Sequence, residues 1–157
     1  MKERKLILYL DTSLIGGYYD VEFEKETKLL FEDIAKGEFD VLYSSLTEDE
    51  LVKAPLRVRE LINTLPNNNK RKIERTEESM LLADSYIAEN VVDKTSRKDC
   101  LHIAMVTVFR ADILVSWNFK HIVNVKRIRR YNAVNVKYGY ATIDIRSPKD
   151  LVSHGKE

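Results

Sequence analysis

The strongest constraint on the fold lies at the start of the chain. Leu6-Ile7-Leu8-Tyr9-Leu10 is an unbroken run of apolar and aromatic residues that stops at Asp11-Thr12-Ser13. A run of this length without polar alternation suits a strand buried on both faces, the habit of central strands in parallel sheets. The carboxylate of Asp11 then stands at the strand's C-terminal end, the edge where open α/β sheets bind their ligands. Asp-Thr-Ser is equally good chemistry for a turn or a helix N-cap, so the pattern marks Asp11 without deciding its role.

The rest of the chain alternates between the two periods. Residues 22–36 carry Phe23, Leu29, Leu30 and Ile34 at helical spacing, with Gly37 just past the end. Phe39-Asp40-Val41-Leu42-Tyr43 reads as a second strand. Ser45 with Glu48 forms a capping-box pattern that opens a helix carrying Glu50 and Leu51. Pro55 opens a short helix through about residue 61, and Leu65-Pro66-Asn67-Asn68-Asn69-Lys70 reads as a loop. Helices are expected over about 77–89 and, from an N-cap at Ser96, about 97–110. Asp112-Ile113-Leu114-Val115-Ser116 is a third strand, 119–130 is helical in part, and Tyr140-Ala141-Thr142-Ile143-Asp144-Ile145 is a late strand before a short helix at Pro148. Strands alternating with helices predict an α/β fold, a three-layer α/β/α sandwich with a central, mainly parallel sheet. No Gly-x-Gly-x-x-Gly or Walker A pattern follows any strand, which argues against a dinucleotide or P-loop site.

At 157 residues, 44% hydrophobic and 32% charged, the chain reads as one globular domain spanning 1–157. No apolar run reaches the length of a signal-peptide core or a membrane span. The single cysteine, Cys100, excludes an internal disulfide and reads as a small buried residue; the cytoplasm is the expected compartment. The net charge of +1 hides an asymmetry. Between Ile113 and Ile143 there is no Asp or Glu, but Lys120, Lys126, Arg127, Arg129, Arg130 and Lys137 are all present. Such a segment is either a polyanion footprint or a solvated helix face.

Three acids stand apart. Asp11 is the first. Glu50 shares a helix face with Leu46 and Ala54, which aims it toward the apolar side; a surface ion pair with Lys53 or Arg57 is the alternative. Asp99 shares a face with His102, Ile103 and Val106, although a capping box with Ser96 would also account for it. Its helix leads into the third strand, so its first turn lies at the same sheet edge as Asp11. Converging carboxylates without His or Cys partners favour a hard cation, Mg²⁺ or Mn²⁺, suited to phosphodiester hydrolysis. His102, His121 and His154 show no paired spacing, which disfavours zinc.

Four pieces in order, Leu8-Tyr9-Leu10-Asp11-Thr12-Ser13, Ser44-Ser45-Leu46-Thr47-Glu48-Asp49-Glu50-Leu51, Asp99-Cys100-Leu101-His102-Ile103-Ala104 and Ile113-Leu114-Val115-Ser116-Trp117-Asn118-Phe119-Lys120-His121, resemble the PIN-domain ribonucleases of the VapC toxin group. The resemblance implies the α/β/α PIN-like sandwich, Mg²⁺- or Mn²⁺-dependent cleavage of RNA, frequent homodimers and an antitoxin protein as partner. By it, Asp11, Glu50 and Asp99 are the metal ligands. A fourth acid usually follows the third strand, and here that position is Asn118, which adds no charge. Asn118 therefore joins the catalytic set as a water-mediated partner, and Ser13 either orients a water or caps a helix. Lys120 and the cluster Lys126, Arg127, Arg129 and Arg130 would contact RNA phosphates. Trp117 either stacks on a base or closes the core, and His102 is either a site residue or a satisfied core histidine.

The missing fourth acid keeps another reading open, a catalytically weak or inactive PIN-fold module that binds RNA or a protein partner. A phosphatase or receiver-like domain built on Asp11 fits less well. Phosphoryl-aspartate enzymes of the dehalogenase type need a second Asp two residues on, where this chain has Ser13.

Overall fold

The computed structural model describes residues 4–93 and 96–152; His154 lies outside them. The first apolar run is strand β1, Leu6–Leu10, with its last three residues buried. It pairs in parallel with β2, Phe39–Ser44, and on its other side with β4, Ile113–Val115. Register runs Leu6 to Phe39 and Tyr9 to Leu42 on one side, and Leu8 to Ile113 and Leu10 to Val115 on the other. With β3, Lys70–Ile73, and β5, Asp144–Arg146, at the edges, the sheet has the order β3-β2-β1-β4-β5 and is parallel throughout.

Side chains alternate across this sheet and divide the core in two. Tyr9, Leu42, Leu114 and Ile145 face one side, packed beneath α5 (Glu77–Ala88), α6 (Arg97–Phe109) and α7 (Val125–Lys137). Leu8, Leu10, Val41, Ile113 and Val115 face the other, covered by α1 (Thr12–Gly16), α2 (Glu24–Ala35) and the segment holding α4 (Leu56–Arg59). These are the three layers expected. Helix α6 is buried continuously from Cys100 to Thr107 and packs chiefly against α5. A helix apolar on all sides belongs between layers rather than on a surface. Burial pushes the Cys100 thiol up to about 12, in keeping with a structural cysteine.

The structure corrects several boundaries. Strand β3 begins at Lys70, inside the segment read as loop, and the Asn residues before it form a 3-10 turn. Its Lys-Arg-Lys-Ile sequence has only Ile73 buried, because an edge strand meets solvent and tolerates charge. Strand β5 is displaced to Asp144–Arg146, after a turn in which Gly139 adopts φ 86°. Helix α3, Ser45–Glu50, is capped by Ser44, whose Oγ accepts from Thr47 N at 3.2 Å. Glu48 is thus no capping-box partner; it pairs with Lys72 of β3 at 2.6 Å. Ala54 falls beyond this helix, and the last helix before β5 runs to Lys137 rather than 130. Among the described residues no helix is long and apolar enough to cross a membrane.

Candidate active site

Asp11 follows directly on strand β1 and is only 2% exposed. Its Oδ1 accepts from Leu14 N and from Ser13 Oγ, each at 2.9 Å, so Asp11 is the N-cap of α1. Ser13 Oγ in turn accepts from Trp117 N at 2.9 Å and lies 3.1 Å from Ser116 Oγ. This serine ties the C-terminal ends of β1 and β4 together. Burial raises the Asp11 carboxyl above its ordinary value, opposed by the nearby His102 and by the bonds from Ser116, Leu14 and Ser13.

Glu50, the last residue of α3, reaches the same end of the sheet. Its Oε1 meets His102 Nε2 at 2.8 Å and accepts from the Thr12 hydroxyl. Neither Lys53 nor Arg57 takes this carboxylate; Arg57 lies over the Tyr19 ring at 4.3 Å. His102 is 3% exposed, and its Nδ1 is 2.7 Å from Tyr9 Oη, itself 2.7 Å from Ser44 Oγ. A neutral ring that donates from Nε2 to Glu50 and accepts from Tyr9 satisfies every partner. His102 is therefore a satisfied buried histidine and also the anchor of Glu50. Burial raises the Glu50 carboxyl, but the His102 and Thr12 hydrogen bonds, with Lys98 farther off, outweigh it and leave the group below its ordinary value.

Asp99, half-buried in the first turn of α6, accepts from Asn118 Nδ2 at 3.2 Å. Ser96 makes no capping bond to this helix, so a capping box does not account for Asp99. Its carboxyl is raised by burial, lowered by the nearby His121 and His102, and raised again by Glu50. The like-charge effect puts Glu50 and Asp99 within electrostatic reach of each other. Asn118 uses both ends of its amide, since its Oδ1 also accepts from His121 N at 3.0 Å. His121 Nδ1 is buried without a hydrogen-bond partner.

The donor set of Asp11, Glu50 and Asp99 is all oxygen, which fits a hard divalent cation. Among the described residues, however, no three Asp, Glu, His or Cys side chains lie close enough together to hold an ion as they stand. A cation would have to draw the carboxylates inward.

Trp117 closes the core. It is 4% exposed, its indole Nε1 donates to Thr27 Oγ1 at 2.8 Å, and its ring stacks on Phe23 at 4.3 Å. The exposed aromatic beside Asn118 is Phe119 instead, at 46%. Lys120, Lys126, Arg129 and Arg130 are exposed, whereas Arg127 donates from Nη1 to Val91 O at 3.0 Å. Sequence reasoning missed Thr12, Tyr9 and Phe119 as neighbours of the site. The alternation along β1, which turns Tyr9 toward the layer holding α6, was the one available signal.

No family model and no curated protein matches the sequence. Solved structures do match. A chain of VapBC2 from Rickettsia felis, solved bound to a DNA fragment from its promoter, superposes with a TM-score of 0.59 at 15% identity, over 90% of this chain and 98% of that one. The Mycobacterium tuberculosis toxin VapC20, described as cleaving the sarcin–ricin loop, gives 0.57 at 12% identity, over 87% and 98%. The chain has the VapC fold. At these identities the likeness is one of fold, and the VapC arrangement agrees with the three-layer sandwich that the ordered motifs implied.

Proposed function

We propose that the chain is a divalent-metal-dependent endoribonuclease of the VapC type, the toxin of a toxin–antitoxin pair. The observation that carries the reading is that β1, α3 and α6 each bring one acid to the C-terminal end of a VapC-like sheet. Asp11, Glu50 and Asp99 would hold Mg²⁺ or Mn²⁺. When bound, such an ion supplies activation of water and neutralises charge at the phosphorus and the leaving oxygen. His102 and Thr12 aim Glu50, Ser13 aims Asp11, and Asn118 aims Asp99. Lys120, Lys126, Arg129 and Arg130 would track the RNA backbone, and Arg127 contributes less because its guanidinium is engaged by Val91. An antitoxin protein and a second copy of the chain are the partners this reading implies, in the cytoplasm.

The test is incubation of purified protein with total RNA in Mg²⁺ and in EDTA, alongside Asp99→Asn. Cleavage by the native chain in Mg²⁺ alone is expected, with a loss of at least about a hundredfold in the variant and an unchanged circular dichroism spectrum. Equal cleavage by the variant, or cleavage indifferent to EDTA, would sink the assignment. One observation favours a second reading, an inactive module on the same fold: the amide of Asn118 stands where a fourth acid was expected, bonded to Asp99 and to the His121 backbone, and it adds no charge. Titration with Mn²⁺ separates the two, because the module predicts no binding near millimolar concentrations.

A further inference from the structure

Phe119 is one of several large apolar side chains that meet solvent, and it stands beside the candidate site. It is one residue from Asn118, which touches Asp99, and 46% of it meets solvent. The turn that presents it is pinned at successive residues. Trp117 N donates to Ser13 Oγ at 2.9 Å, Asn118 N to Ser116 Oγ at 2.9 Å, and Phe119 N to Trp117 O at 3.0 Å. Asn118 O then accepts from Ile122 N and Val123 N at 3.1 and 2.8 Å. Behind Phe119 stands an aromatic wall. Trp117 meets its ring edge-on with centroids 6.0 Å apart, Phe23 is tilted at 6.4 Å, and Trp117 itself is locked by Thr27. The ring is therefore held outward by fixed backbone and rigid neighbours. An exposed aromatic on a fixed backbone, backed on one side by other rings, loses less conformational freedom on binding a flat partner than one on a free loop.

The charge around it selects the partner. Lys120 follows directly and is exposed, as is Lys126 at the start of α7, and no acid occurs in the sequence from Ile113 to Ile143. A flat apolar face next to cations, in a stretch free of acids, matches a nucleobase with its phosphate. An acidic peptide would match the cations but not the flat ring.

We propose that Phe119 is a stacking platform for an unpaired base of the substrate, with Lys120 on the adjoining phosphate. This rests on the ribonuclease reading above and narrows its substrate to RNA with an unstacked base at the cleavage site. A base paired within a duplex offers no free face, so paired RNA gains nothing from Phe119.

The test uses the Asp99→Asn chain, which the ribonuclease reading expects to leave RNA intact, and a fluorescein-labelled mixed-sequence oligoribonucleotide, single-stranded or annealed to its complement. Three versions are compared: Phe119 native, Phe119→Leu and Phe119→Tyr. Trp117 is the single tryptophan of the chain, so its emission reports on the adjoining ring. Single-strand affinity should fall about 5- to 150-fold in Phe119→Leu, recover in Phe119→Tyr, and leave duplex affinity unchanged. Emission should shift on single-strand binding in the native and Tyr forms only. Single-strand affinity equal in all three would overturn the platform while leaving the ribonuclease reading standing, and would assign the exposed ring to a protein contact. Absence of RNA binding in every form would overturn both.

Discussion

Asp11 and Glu50 sit at one end of the same sheet, yet their carboxyls are shifted in opposite directions. Burial lifts Asp11 above its ordinary 3.8, so the folded chain holds that proton more tightly than the unfolded one. Its contribution to stability is full below about pH 3.8 and is lost as pH rises through the raised value. Glu50 is lowered by His102 and Thr12 despite its burial, so it contributes above its ordinary 4.5 and loses that contribution as pH falls through the lowered value. At neutral pH Asp11 is thus a cost to the metal-free fold. Asp11→Asn keeps an oxygen for Leu14 N and Ser13 Oγ and removes the charge. The metal-free variant should melt higher than the native chain at pH 7, by about 2–4 °C for each kcal/mol recovered. Added Mg²⁺ should raise the melting temperature of the native chain and leave that of the variant where it was. A variant that melts lower in both conditions would show that the carboxylate supports the fold. The trio of acids was legible as single residues, each at the mouth of an element. The groups that hold them were not, because Tyr9, Thr12 and His102 meet only after three elements have packed.

At the scale of elements, the central strands were legible, β3 was not, and β5 was legible only in part, since the strand read over 140–145 overlaps it at Asp144 and Ile145. Strands β1, β2 and β4 are buried on both faces and carry the apolar runs that burial requires. Strands β3 and β5 each bury one side chain, Ile73 and Ile145, and otherwise carry charge that resembles loop. The helix was read as starting at Ser45, where α3 does start, but its cap was misplaced by one residue because Ser44 and Ser45 are chemically alike, and only backbone geometry chooses Ser44. The packing of the α1–α2 layer against Trp117 gives a sharp prediction. A Cβ built on Gly17 would stand 2.7 Å from Trp117 Cδ1 and Nε1 and 3.0 Å from Thr27 Oγ1. Gly17→Ala must therefore push the indole off its bond to Thr27. It should destabilise the chain by about 1–3 kcal/mol and change the near-ultraviolet dichroism of the single tryptophan. An unchanged melting temperature would mean that the turn after α1 gives way instead.

Over the whole molecule, charge is distributed unevenly and in register with the fold. The acid-free stretch covers the exit of β4 and the full length of α7, which begins at the same end of the sheet as the three acids. Exposed Lys126, Arg129 and Arg130 are free to meet phosphate, whereas Arg127 is part of the packing between α7 and the α5–α6 loop. RNA affinity should fall steeply with added salt. Neutralising Lys126, Arg129 or Arg130 should each reduce the logarithmic salt slope by on the order of one, and Arg127→Ala should lower the melting temperature more than it changes that slope.

Asp11 leaves the middle strand of the sheet, whereas Glu50 closes a helix of six residues. Backbone amides of β1 should exchange with solvent only when the entire molecule opens, and those of so short a helix through its own fraying. These two carboxylates should therefore have different lifetimes in place. On warming, Glu50 should loosen while Asp11 is still held, so the cleavage proposed for this chain should fade at temperatures where the sheet is intact and return in full on cooling.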